Sequence, residues 1–128
     1  MTSTFGFPQS DWDAAKREAH AAMVTAVRSG SGKITYSDLA TKITTIRFEP
    51  STHIFHSLLG QISEAENEEG RGMLSVVVVH KSGDNQGQPG EGFFRLAREL
   101  GHDARDPLKF WATEMERVRA AWRREPSA

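Results

Sequence analysis

The sequence predicts a mainly α fold with a small β-sheet. Apolar residues recur at helical spacing in several segments, one short run is almost continuously apolar and β-branched, and glycine or proline marks most boundaries. At 128 residues the chain has room for one modest core and reads as a single domain over 1–128. Within it, 1–9 reads as a flexible or loosely docked arm, 32–103 as the core unit and 106–124 as a C-terminal helix.

Composition excludes several kinds of chemistry. The chain has no cysteine, so disulfides, thiolate metal sites and cysteine nucleophiles are ruled out. Lys and Arg total 16 against 17 Asp and Glu, a formal net charge of −1. Phosphate-binding proteins usually carry a basic excess or a basic face, so a nucleic-acid role here must rest on local patches. Residues 1–69 carry 6 basic against 9 acidic side chains and residues 70–128 carry 10 against 8, which places the basic character in the second half. The opening MTSTFGFPQSDWD lacks the basic and apolar regions of a secretory signal, and no window approaches the ~18 apolar residues of a membrane helix. A soluble, cytoplasmic protein is expected.

In chain order, Ser10 and Asp13 resemble a capping box. From there Trp12, Ala15, Ala19, Ala22, Met23, Ala26 and Val27 make one helical stripe, ended by Gly30 and Gly32. His20, alone on this helix, is expected as a surface or boundary residue. Lys33–Thr35 is a short strand, and Ser37 is placed to cap a small helix through Leu39, Ala40 and Ile43. After a turn to Pro50, Ile54, Phe55, Leu58, Leu59 and Ile62 form the clearest amphipathic stripe of the first half. The acidic run Glu64 to Glu69 is expected to be a solvated end. Met73 to Val79 reads as a strand buried on both faces, followed by His80, Lys81 and a Gly-rich loop. Pro89–Gly92 opens a helix that Gly101 ends, and Asp106–Pro107 starts another. In the last helix Leu108, Trp111, Met115, Val118 and Trp122 repeat at 3-4-3-4 spacing, a face for core packing or for a protein partner or homodimer.

A short strand, two helices and a return strand is the order of a winged helix, so the expectation is a winged-helix-like domain with added N- and C-terminal helices. The chain also resembles the DNA-binding domain of the alkylguanine-DNA alkyltransferases and of the alkyltransferase-like proteins. GKITYSDLA (Gly32 to Ala40) is similar to that family's Gly-x-Val-x-Ser/Thr-Tyr-x-x-Leu-Ala segment, and Ser51 to Ala65 matches its recognition helix in place. Val78–Ser82 stands where the family has Pro-Cys-His-Arg-Val, GDNQGQPGEG resembles its Gly-rich loop, and His102–Asp103 falls at the offset of its His-Glu. The cysteine position is Val79, which removes alkyl transfer, and no Lys or Arg lies between Ser51 and Glu69 to enter the DNA as the family's recognition-helix arginine does. The resemblance implies a non-catalytic DNA-binding protein in DNA repair that recognises modified or damaged bases near Val79, His80 and Tyr36.

On this reading Ser51 and Thr52 offer a helix N-terminus to phosphate, while His53, His56, Ser57 and Gln61 face a groove. Arg71, Lys81, Arg95 and Arg98 are the cations placed to reach the backbone of double-stranded DNA, with Tyr36 at the family's position near the flipped nucleotide. Two alternatives remain open. One is a winged-helix protein-interaction module. The other is a small hydrolase using His80 and Asp103 or a bound metal, with Ser75, Ser82 or water as nucleophile. His53, His56, His80 and His102 contain enough imidazoles for zinc, but nothing in the sequence brings them together, so no metal or cofactor is predicted.

Overall fold

The computed structural model describes residues 4–29, 31–81 and 86–123. Among them are five α-helices and a two-stranded sheet: α1 (Gln9–Arg28), β1 (Ile34–Thr35), α2 (Tyr36–Lys42), α3 (His53–Glu68), β2 (Val78–Val79), α4 (Glu91–Glu99) and α5 (Pro107–Arg123). The strands run parallel, with Ile34 opposite Val78 and Thr35 opposite Val79. Among the described residues no helix is long and apolar enough to cross a membrane.

The segment Met73–Val79 is fully buried, as its composition requires, but most of it is not strand. Leu74–Val77 winds into a 3₁₀ turn, and only Val78–Val79 pairs with β1. A two-residue neighbour cannot satisfy the buried amides of a longer strand, so side chains do so instead. Ser75 N–H donates to Ser63 Oγ on α3 at 2.8 Å, and Met73 N–H donates to Glu114 Oε2 on α5 at 2.8 Å. The indole of Trp111 donates to the Val76 carbonyl at 3.1 Å. Helices α1, α3 and α5 all pack on this turn, which makes it the centre of the core.

Local chemistry shifts two helix starts from those expected. Pro8 stands at the N-cap of α1 with no side-chain cap, and the Ser10–Asp13 box does not form; Gln9 donates to Asp13 instead. Helix α2 begins at Tyr36, and Thr35 rather than Ser37 caps it, accepting from Asp38 N–H at 3.1 Å. By contrast Pro107 opens α5 with Asp106 accepting from Lys109 N–H, as the Asp-Pro pair predicts. Of the expected helix stops, Gly30 lies outside the described residues. The described part of the arm is docked: Phe7 stacks on Trp12 with ring centroids 6.2 Å apart, and Phe5 contacts Trp12 and His53.

The acidic run is not wholly solvated. Glu66 is 5 % exposed, bonded to His20 on α1 at 2.7 Å and to Arg71 by two hydrogen bonds. Arg71 also lies over the Trp122 ring of α5, and His20 meets the edge of the same ring. His20 is therefore a boundary residue, and its bond to Glu66 makes it a link between helices. Burial opposes ionisation of Glu66, but the bonds from Arg71 and His20 outweigh it and hold the carboxyl below its ordinary range. On α5, Met115 and Val118 are spent in the core, Trp111 and Trp122 are half-buried against it, and Leu108 remains 54 % exposed.

Two substitutions test these joints. Ser63→Ala leaves the buried Ser75 amide without its acceptor and should cost about 1–3 kcal/mol in urea unfolding. Glu66→Gln should cost a similar amount, about 1–3 kcal/mol, at neutral pH. Because the folded carboxyl titrates below the unfolded one, that contribution is complete above about pH 4.3 and is lost as pH falls through the folded value. Urea melts of parent and variant should therefore converge in acid; a gap that stays constant to pH 3 would contradict the assignment.

Candidate functional site

The first two turns of α3 carry His53, His56 and Ser57, the residues expected to face a groove. Thr52 caps them: its hydroxyl accepts from Phe55 N–H at 3.4 Å and donates to the Glu49 carbonyl at 2.8 Å. No acidic residue lies in the first turn, so the positive end of the helix dipole is uncompensated by the helix's own side chains. Phe55, Leu58, Leu59 and Ile62 are buried, which turns Ser51 and His53 to solvent and leaves Thr52, His56 and Ser57 half-exposed.

Behind this surface sits an aromatic stack. Tyr36, at the start of α2, lies on the His56 ring at 4.8 Å with a 29° interplanar angle and against the His80 ring at 5.0 Å. Its hydroxyl accepts from Gly90 N–H at 2.8 Å, tying α2 to the turn before α4. His56 is fixed from the other side, since its Nε2 donates to the Pro50 carbonyl at 2.9 Å. Gly90 is needed for space: a Cβ there would lie 3.2 Å from the Tyr36 hydroxyl and 3.3 Å from His80 Nε2. His80 is held by its backbone, donating to the Gln88 carbonyl and accepting from Gly87 N–H, both at 2.9 Å.

Burial raises the Tyr36 phenol above its usual value, against the opposing effect of the Gly90 amide. Burial also lowers His56 below its usual value; the Pro50 carbonyl works against this, and the nearby His80 and His53 add to it.

The stack opens onto a cleft of about 250 Å³ between α3 and α4. His53, His56, Ser57 and Gly60 form one wall, Phe93, Arg95, Leu96 and Glu99 the other, and Tyr36 lies at its edge. This is a mixed site: imidazoles, one guanidinium, one carboxylate and a hydroxyl around an apolar floor. It can hold a planar or anionic group. Of the serines expected as nucleophiles, Ser75 is buried and bonded to Ser63.

The predicted site residues thus divide. Tyr36, His53, His56, Ser57, His80 and Arg95 converge, Ser51 and Thr52 lie at the adjoining helix end, and Lys81 follows His80 at the surface. Arg98 is exposed on α4. Gln61 faces away, accepting the Trp12 indole N–H at 2.9 Å, and Arg71 is held at the far end of α3 by Glu66. His80 and Asp103 do not pair: Arg105 holds Asp103 through three hydrogen bonds and brings its carboxyl down to about 2. His102 is bonded to Asn67 at 2.8 Å, so the four-histidine set is not assembled. Among the described residues no group of three or more His, Asp or Glu is arranged to hold a metal ion. The alternative nucleophile Ser82, with Gly83, Asp84 and Asn85 of the loop, lies outside the described residues.

A base placed over Tyr36 would find little room, because that ring is 8 % exposed and already covered by two imidazoles and Gly90. The open space is the neighbouring cleft. Sequence reasoning missed Gly90 and Glu99; the PGEG stretch signals a helix start but carries no sign of which ring its second residue would meet.

Gly90→Ala should displace Tyr36 or His80 by a few tenths of an ångström and cost about 1–3 kcal/mol. Histidine Cε1 proton resonances of His56 and His80 should shift while those of His20 and His102 stay in place. Unmoved His80 and His56 signals would show that the contact is slack. Compared with known proteins, no family model, no curated protein and no solved structure matches this chain, so what the site can do is read from its own atoms.

Proposed function

We propose that the protein binds double-stranded DNA without catalysing a reaction, presenting the N-terminal half of α3 in a winged-helix-like arrangement. The observation that carries this reading is the start of that half-helix: Ser51 and His53 face solvent at a capped N-terminus free of first-turn carboxylates and beside Arg95. Backbone amides and the helix dipole at such an end favour a phosphate, and small side chains such as Ser57 and Gly60 permit close approach to a groove. The order β1, α2, α3, β2 is what supports the winged-helix-like reading.

Lys81, Arg95 and Arg98 are the cations available to the phosphate backbone on this side. Arg71, which would have extended them, is committed to Glu66. A modified or extruded base would enter the α3–α4 cleft, where Ser57, His53 and Arg95 offer donors and Glu99 an acceptor. With so few fixed charges, the contribution from counterion release is small and contacts in the cleft must supply specificity.

Fluorescence anisotropy on plain and base-modified duplexes checks this. Binding at 50 mM salt should weaken with a log–log salt slope of about −3, one unit for each of the three cations. Arg95→Ala should reduce the slope by about one, whereas Arg71→Ala should leave it unchanged. No binding to either duplex at low salt would remove the proposal.

A further inference from the structure

We infer that binding by this face is switched by acid: His53, His56 and His80 take up protons as a DNA phosphate backbone arrives and supply charge that the fixed cations do not. The inference rests on the DNA-binding reading and concerns the regulation of the same site. Its basis is the crowding of titratable rings on a surface otherwise nearly neutral.

Around the stack, the groups that face these imidazoles can be named element by element. From α2 comes the neutral phenol of Tyr36, in contact with both His56 and His80. The turn before α3 supplies the Pro50 carbonyl, which fixes His56 Nε2 as a donor and leaves Nδ1 to take the second proton. From α3 itself come His53 and the Ser57 hydroxyl, 3.3 Å apart. Helix α4 contributes Arg95 and Glu99, of opposite charge and on the same wall of the cleft. The docked arm adds only the Phe5 ring, against His53. Lys81 follows His80 at the surface.

The cleft thus holds one guanidinium and one carboxylate, and the histidines are the side chains beside it that can add positive charge as pH falls. Imidazole is the side chain whose charge changes between about pH 5 and 8. In the free protein burial acts against protonation of His56, and the nearby His80 and His53 add to that effect. A phosphate backbone laid along α3 reverses that balance, since each added proton then gains an anionic partner. Proton uptake on binding is the thermodynamic equivalent of affinity that rises as pH falls.

The experiment measures anisotropy of a labelled 20-base-pair duplex with the full chain at pH 7.5, 6.5 and 5.5, at constant ionic strength. Circular dichroism at each pH reports whether the fold is intact. Affinity should rise about tenfold or more from pH 7.5 to 5.5. The double variant His53→Gln/His80→Gln, compared with its own affinity at pH 7.5, should show less than about a third of that gain. His56→Gln is the less direct probe because its ring is tied to Pro50 and Tyr36, whereas His53 is exposed and its replacement leaves the core alone. Histidine Cε1 proton titrations with and without a 12-base-pair duplex give a second readout, in which the midpoints of His53 and His80 should move upward on binding. Affinity that is measurable but flat with pH overturns the switch and leaves DNA binding standing. A gain that persists in the double variant overturns the assignment to these histidines. Failure to bind at every pH overturns the DNA reading, and the switch with it.

Discussion

The buried backbone between Met73 and Val77 must find hydrogen-bond partners with only a two-residue parallel sheet beyond it, and the rest of the fold follows from how it does so. An unpaired buried amide costs as much as a lost hydrogen bond, so this segment cannot simply lie in the core. Coiling into a 3₁₀ turn satisfies the Val76 amide through the Met73 carbonyl. Ser63, Glu114 and Trp111 satisfy Ser75, Met73 and Val76 from two different helices. Those bonds fix the positions of α3 and α5 relative to the turn, and α1 then closes over it. Glu114, 1 % exposed, illustrates the constraint: a carboxylate is kept in the core because a main-chain amide there needs an acceptor.

The same turn determines where the candidate site lies. Leaving it, the chain pairs briefly with β1, and β1 runs directly into α2, so Tyr36 and His80 emerge from adjacent strand ends. Helix α3 is anchored at its C-terminal half by Ser63 on the turn, by the Gln61–Trp12 contact and by the His20–Glu66–Arg71 link. Its N-terminal half is seated by Phe55, Leu58 and Leu59 in the core and by the Tyr36–His56 stack, which leaves Ser51 and His53 to solvent at its start.

This arrangement explains why the functional reading narrows toward α3 and α4. The guanidinium of Arg71 and the carboxylate of Asp103, both plausible as site groups by position, are neutralised locally by partners a few residues away. Tyr36 serves as the hub of a packed stack, with its neighbours held by Pro50 and Gly90 rather than free to receive a base. The chemistry that remains at the surface is carried by histidines and by α4.

Helical periodicity, the Asp-Pro start of α5, the apolar burial of Met73–Val79 and the absence of cysteine chemistry were all legible from residues alone, because each depends on near neighbours or on composition. The convergence of Tyr36 with His56 and His80 was legible only as a set of candidates. Whether the β-branched run becomes strand or turn, and whether Glu66 is solvated or buried, depend on groups 12 to 46 positions away in the chain. Local sequence states what a residue can bond to; only the packed structure decides which of those partners arrives within reach.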